Sequence, residues 1–277
     1  IGMYKKSLLY PVDPQTKALC NYWLGDIASQ RKDYDGSIKY VNTYLQIAKN
    51  QSNMPDEASV HTANYLQGYN FLKQQNYSSA KGYFQETVSG IKKNSLNIDD
   101  KFVKSQLLGD AVLRAGDCNF KQNKYDEALI FYDDAIKSKY NGYVYALYQK
   151  AIIEGLKGNV EDKLIALEKL SRDYPNSDFA DDALLETGST YLEINQLDKA
   201  VKPLKTLVND YKTKSPLINQ GLLKLGLVSY NQGSLQMAIN YYKQVFSNNP
   251  DSEEAKAALA ALEEIYVRDL GKPDEYF

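Results

Sequence analysis

The sequence predicts an all-α chain built from a repeated pair of antiparallel helices, and three observations carry that expectation. Small residues recur in pairs twelve apart: Gly25 with Ser37, Gly68 with Ala80, Gly116 with Ala128, Gly188 with Ala200, and Gly226 with Ala238. Four residues after the second mark stands a large residue (Val41, Phe84, Tyr132, Leu204, Tyr242), and three further on another core candidate (Tyr44, Thr87, Ala135, Leu207, Val245). Spacings of three and four put such residues on one helical face. Between the two marks lies a polar turn, as in Lys32-Asp33-Tyr34, Gln75-Asn76-Tyr77 and Gly233-Ser234-Leu235. The pattern leaves room for about thirteen to fifteen helices and no strand.

The elements follow in order. Tyr4 to Tyr10 reads as the tail of a helix closed by Pro11, so 1–11 is expected to end a preceding repeat. Unit 1 is expected over 14–50, unit 2 over 57–93 and unit 3 over 99–138, with Gly90 to Asp100 as an extended connection. The second helix of unit 3 opens Asp126-Glu127-Ala128, where acidic residues oppose the helix dipole. Unit 4, over 142–175, has the weakest frame: Ala151 pairs with Lys163, followed by Leu167 and Leu170. The Lys163 stem is expected along the helix with its ammonium in water. Units 5 and 6 occupy 177–212 and 216–250. Pro175 and Pro250 stop two second helices. Residues 252–277 read as a capping helix or the start of a seventh unit. Asp251 is expected to cap it with Glu254 returning the bond, and Ala255, Ala258, Leu259, Leu262 and Ile265 give it an apolar face. The chain opens Ile1-Gly2-Met3, and both ends look cut within a motif, so a fragment of a longer array is expected.

Composition bounds the function. The 277 residues carry 33 Lys+Arg against 35 Asp+Glu, a net charge of −2, with 43% hydrophobic residues. That is a folding composition. It lacks the clustered positive charge of a nucleic-acid surface, and no apolar run approaches the ~20 residues of a membrane helix. The 24 Tyr outnumber the 8 Phe threefold. His61 is the sole histidine, which leaves no imidazole pair for catalysis or a metal; it reads as a surface or packed residue. Cys20 and Cys118, on different first helices, are expected as free thiols. The acidic pairs Asp99-Asp100, Asp133-Asp134, Asp181-Asp182, Glu253-Glu254 and Glu263-Glu264 read as helix starts and solvated faces, because adjacent helical residues diverge by about 100°. No phosphate loop, nucleophile elbow or zinc-protease motif is present. No catalytic residue, metal or cofactor is expected.

The repeat resembles the tetratricopeptide repeat (TPR), a helix-turn-helix unit of about 34 residues. The match is fullest at Leu225, Gly226, Ser229, Gly233, Ala238, Tyr242 and Pro250, and it covers roughly 18 to 250. The resemblance implies one right-handed superhelical α-solenoid over 1–277, with about six units and partial units at both ends. It departs where Gly25 to Gly68 spans 43 residues and Gly68 to Gly116 spans 48, and where Tyr44, Thr87 and Lys163 replace small residues. The small marks are expected to let the two helix backbones approach, Gly against Ala, with larger residues filling the gap to the next unit.

The resemblance also implies a non-catalytic scaffold that binds a protein or peptide on the concave face lined by first helices. Inward positions there are Tyr22, Trp23, Asp26, Tyr65, Tyr69, Arg114, Asp117, Phe120, Tyr145, Tyr148 and Gln149. Tyr, Trp and Arg dominate binding hot spots because they bury large area at low entropic cost; packing between repeats is the competing role for each. Some relatives clamp a partner's terminal carboxylate with Lys, Asn and Arg. The corresponding positions here hold Tyr22, Asp26, Leu66, Asp110 and Arg114, so only Arg114 fits and chaperone-tail binding is not expected. The alternative is a regulatory, ligand- or glycan-binding module of a larger sensor or surface protein. The tyrosine-rich style resembles bacterial envelope repeats, which favours a periplasmic setting over the cytoplasm. The partial terminal units are expected to self-associate end to end.

Overall fold

A computed structural model describes residues 1–10, 13–51 and 54–276; Pro11 and Phe277, invoked above, lie outside the described residues. The chain is 77% helical, with 14 α-helices and no strand among those residues. They are α1 (Gly2–Ser7), α2 (Pro14–Gln30), α3 (Tyr34–Ala48), α4 (Val60–Lys73), α5 (Tyr77–Lys93), α6 (Leu108–Phe120), α7 (Tyr125–Ser138), α8 (Tyr143–Leu156), α9 (Val160–Asp173), α10 (Ala180–Glu193), α11 (Leu197–Asp210), α12 (Ile218–Asn231), α13 (Leu235–Asn248) and α14 (Glu253–Glu263). Consecutive helices pack as antiparallel pairs, the arrangement of an α-solenoid. Two compact units result, Ile1–Lys150 and Ala151–Phe277.

Five of the pairs share one contact beside the expected approach of their small marks. The first-helix glycine receives the large residue sixteen positions later, within its own pair. A Cβ at Gly25 would lie 2.7 Å from Val41, at Gly68 2.7 Å from the Phe84 ring and at Gly116 2.8 Å from the Tyr132 ring. Gly188 meets Leu204 and Gly226 meets Tyr242 in the same way. Glycine is needed there because a bulky side chain stands where a Cβ would be. The second marks are fully buried (Ser37, Ala80, Ala128, Ala200, Ala238), and the Ser37 hydroxyl donates to the Gly25 carbonyl at 2.7 Å. Phe84, Tyr132, Leu204, Leu207, Leu222 and Leu225 anchor the cores.

The turns share a device that composition concealed. Five residues before every second mark the backbone is left-handed: Lys32 (φ 64), Gln75 (φ 60), Asn123 (φ 57), Gly158 (φ 85), Asn195 (φ 56) and Gly233 (φ 74). That residue reverses the chain, and the next amide closes back five residues, as Asn76 N to Phe71 O at 2.9 Å.

Several details correct the sequence reading. The first helix stops at Ser7, short of Tyr10. α5 runs on to Lys93, so the connection begins later than Gly90, and a π-helical stretch, Phe102–Leu107, precedes α6. These extensions account for the long second interval. Ser252, not Asp251, caps α14: its hydroxyl accepts from the Ala255 amide at 3.1 Å, because Ser252 holds the extended φ/ψ that aims a side chain at the first turn. Lys163 does lay its stem against Gly155, but its ammonium leaves water for the Glu186 carboxylate on α10, 2.5 Å away. Tyr44 replaces a small residue because its hydroxyl has a use: fully buried, it donates to the Ala58 carbonyl.

Candidate functional site

The aromatic first-helix residues gather in Ile1–Lys150, around a chain of charged groups on α6. Helical spacing puts Asp110, Arg114 and Asp117 on one stripe of that helix. The Arg114 guanidinium bonds Asp110 through Nε at 3.3 Å and Asp117 through a terminal nitrogen. Asp110 also accepts the hydroxyls of Tyr65 (2.8 Å) and Tyr69 (2.5 Å) from α4. Asp117 accepts those of Tyr132 on α7 (2.7 Å) and Tyr145 on α8 (2.8 Å). The Tyr145 ring lies 5.5 Å from the guanidinium carbon, within cation–π range. Four helices are thereby tied through two carboxylates and one arginine.

Burial sets the electrostatics. It raises the Asp117 carboxyl above its ordinary value, with Arg114, Tyr132 and Tyr145 pulling back. It likewise raises the hydroxyls of Tyr65, Tyr69, Tyr132 and Tyr145, each adjoining a carboxylate that disfavours the tyrosinate. The tyrosine hydroxyls are hydrogen-bond donors held in place by these carboxylates.

Beside this network, the first helices α2 and α4 and the start of the π-helical stretch enclose a cleft of about 410 Å³. Tyr22, Asp26, Thr62, Tyr65, Tyr69 and Phe102 line it, together with Tyr34, Glu57, Lys73 and Asp100. Tyr22 is buried and packs against Trp23 and Tyr44 at ring separations of 5.0 and 5.3 Å. Trp23, Tyr65, Tyr69, Tyr145, Tyr148 and Gln149 are half-buried. Tyr65 and Tyr69 brace each other edge to face and rest on Phe84. Phe120 stands apart, against Tyr125. The structure therefore brings Tyr22, Asp26, Tyr65 and Tyr69 to the cleft and Arg114, Asp117 and Tyr145 to the network.

Three participants were absent from the sequence-derived set. Asp110 was placed on the inward stripe, but nothing there marked it as a shared acceptor. Tyr132 was read as core, and its hydroxyl reaches Asp117 from that core position. Phe102 was hidden in a connection; its ring is 58% exposed.

The remaining candidates sit in packed positions. Cys20 and Cys118 are free and buried, and burial pushes the Cys118 thiol up to about 12. His61 is half-buried against Gly90, and burial lowers its imidazole below the ordinary value, with Asp56 opposing. Among the described residues no cluster of three His, Cys, Asp or Glu could hold a metal, and no helix is long and apolar enough to cross a membrane.

Comparison with known proteins follows this geometry. The family model described as tetratricopeptide repeat matches at 110–138, 145–177, 182–213 and 220–252. No curated protein matches the sequence. Among solved structures, the chain is similar to the C-terminal part of a TPR repeat-containing protein from Cytophaga hutchinsonii (18% identity, TM-score 0.68, 92% of each chain covered). It is also similar to the quorum sensor NprR of B. thuringiensis in its apo form (13%, TM-score 0.60, 99% of this chain and 77% of that one). A third is Pseudomonas aeruginosa PilF (13%, TM-score 0.57, 90% and 99%). At these identities the likeness is one of fold.

Proposed function

We propose, from the premise that the chain belongs to the tetratricopeptide repeat family, that it is a non-catalytic scaffold. It binds a protein or peptide along the first-helix face of Ile1–Lys150. The observation that carries this reading is the preorganisation of that face. Half-exposed tyrosines are fixed by hydrogen bonds to Asp110 and Asp117 next to an open aromatic cleft. Rings already held in place lose little freedom when a partner covers them.

The test is affinity capture from source-cell lysate, using the whole chain and a variant carrying Lys73→Glu and Phe102→Ser. Both positions are exposed, so the fold survives the change. A protein retained by the parent and lost by the variant supports the reading. Identical captured sets contradict it. Self-association is a separate proposal, resting on Met3, Leu9 and Tyr10, which stand 86%, 81% and 70% exposed. A scattering mass that stays monomeric as concentration rises would remove it.

A further inference from the structure

The cleft beside the network has a chemistry of its own. Three acidic residues line it from separate elements: Asp26 from α2, Glu57 from the turn before α4, and Asp100, one of whose oxygens also accepts the Phe102 and Val103 amides, from the turn before the π-helical stretch. Lys73 is the one cation among its lining residues. Aromatic surface is prominent in the rest of the wall, from Tyr22, Tyr34, Tyr65, Tyr69 and the exposed Phe102. The charge on Asp26 and Glu57 is felt within the cleft: the Tyr22 hydroxyl, raised first by burial and lowered by a hydrogen bond with Thr62, is raised further by both.

The protein already shows what such a surface holds. A few residues away, Arg114 lies between two carboxylates against the face of Tyr145, with tyrosyl hydroxyls completing the carboxylates. The cleft repeats those components, carboxylates and tyrosine rings. We propose that it receives a cationic side chain, an arginine or lysine of an extended peptide, with Phe102 covering the aliphatic stem. This deepens the scaffold reading and rests on it. An anionic ligand is disfavoured on two counts. The three carboxylates would repel it, and Arg114 is already neutralised by Asp110 and Asp117. The volume, about 410 Å³, falls within the range of small-ligand sites and suits one long side chain better than a folded partner.

A display library of random peptides, selected on the whole chain, tests this directly. Selected peptides are expected to share an Arg or Lys. Replacing that Arg by citrulline, or Lys by norleucine, is expected to weaken binding at least about tenfold in fluorescence anisotropy, the scale of a lost charged hydrogen bond. The double variant Asp26→Asn, Glu57→Gln is expected to lose a similar factor. Glu161→Gln, in the other unit, is expected to lose none. Higher salt is expected to weaken the parent complex. The citrulline and norleucine arms alter only the peptide, so they hold even if a protein variant misfolds. Selected peptides that are acidic, or that bind equally well without the cation, overturn this inference and leave the scaffold standing. If no peptide is enriched the inference falls, and the lysate capture decides the scaffold reading separately.

Discussion

The same repeat frame is filled in two ways. In Ile1–Lys150 the first helix of the third pair carries Asp110, Arg114 and Asp117, and the facing second helix presents Tyr132 to Gly116. In Ala151–Phe277 the corresponding positions of the fifth pair carry Asp182, Glu186 and Ser189, and Leu204 faces Gly188. The frame tolerates either. Tyr132 and Leu204 are both fully buried, yet only a tyrosine brings a hydroxyl that a carboxylate can use. One Lys163–Glu186 pair serves the second unit where a branched network serves the first. The second unit has its own cleft of about 570 Å³, but there Arg172, Lys202 and Pro203 of second helices line it with Leu184 and Thr187 below. The repeat thus fixes where helices pack and leaves surface chemistry to the residues around each glycine.

That comparison is open to breaking. The largest effect is expected from Asp117→Ala, which removes one of the two carboxylates on Arg114 and the acceptor of the Tyr132 and Tyr145 hydroxyls, at a side chain only 14% exposed. Denaturant titration should show a loss of about 3–5 kcal/mol, as for a broken buried pair. Ser189→Ala, whose hydroxyl serves only the Leu185 carbonyl one turn back, should cost under ~1 kcal/mol. Equal losses would erase the distinction between the two units.

Alkaline titration sharpens it. Tyr65, Tyr69, Tyr132 and Tyr145 have folded pKa values raised above the unfolded value of 10.0. Their contribution is therefore complete below pH 10 and is lost as pH rises beyond it. Ultraviolet titration should show these tyrosinates forming only as the first unit unfolds. The acid side gives a smaller effect. His61, the sole histidine, has a lowered pKa, so its contribution is present above 6.5 and lost as pH falls below it. His61→Gln should flatten the fall in melting temperature between neutral pH and pH 5. The smallest effect concerns the turns. Gln75→Gly should relieve a left-handed non-glycine residue and stabilise by roughly 1 kcal/mol, whereas the matching turn of the sixth pair already has Gly233. No gain in calorimetry would mean the turn strain is absent.

Much of the fold was legible, because periodic small residues are a direct consequence of helix contact. The glycine marks and the large residues four after the second marks were readable from spacing alone. Their actual partnership, Gly68 with Phe84 and Gly116 with Tyr132, was not, since spacing does not reveal which side chain fills a missing Cβ. The turns were legible as polar breaks, but the left-handed residue within each was not, least of all at Lys32 and Gln75, whose side chains give no such signal. At the site, the aromatic first-helix positions were legible as a stripe. The convergence of Tyr65 and Tyr69 on Asp110 was not, because it depends on distances between helices 41 and 45 residues apart in sequence. Phe102 was missed because the π-helical stretch carries no compositional mark.

The central claim is that partner binding belongs to the first-helix face of Ile1–Lys150. Hydrogen exchange on the whole chain, with and without a captured partner, tests it most directly. The account expects new protection over 22–34, 57–73 and 100–121, with 151–276 unchanged. Protection confined to 151–276 would contradict it.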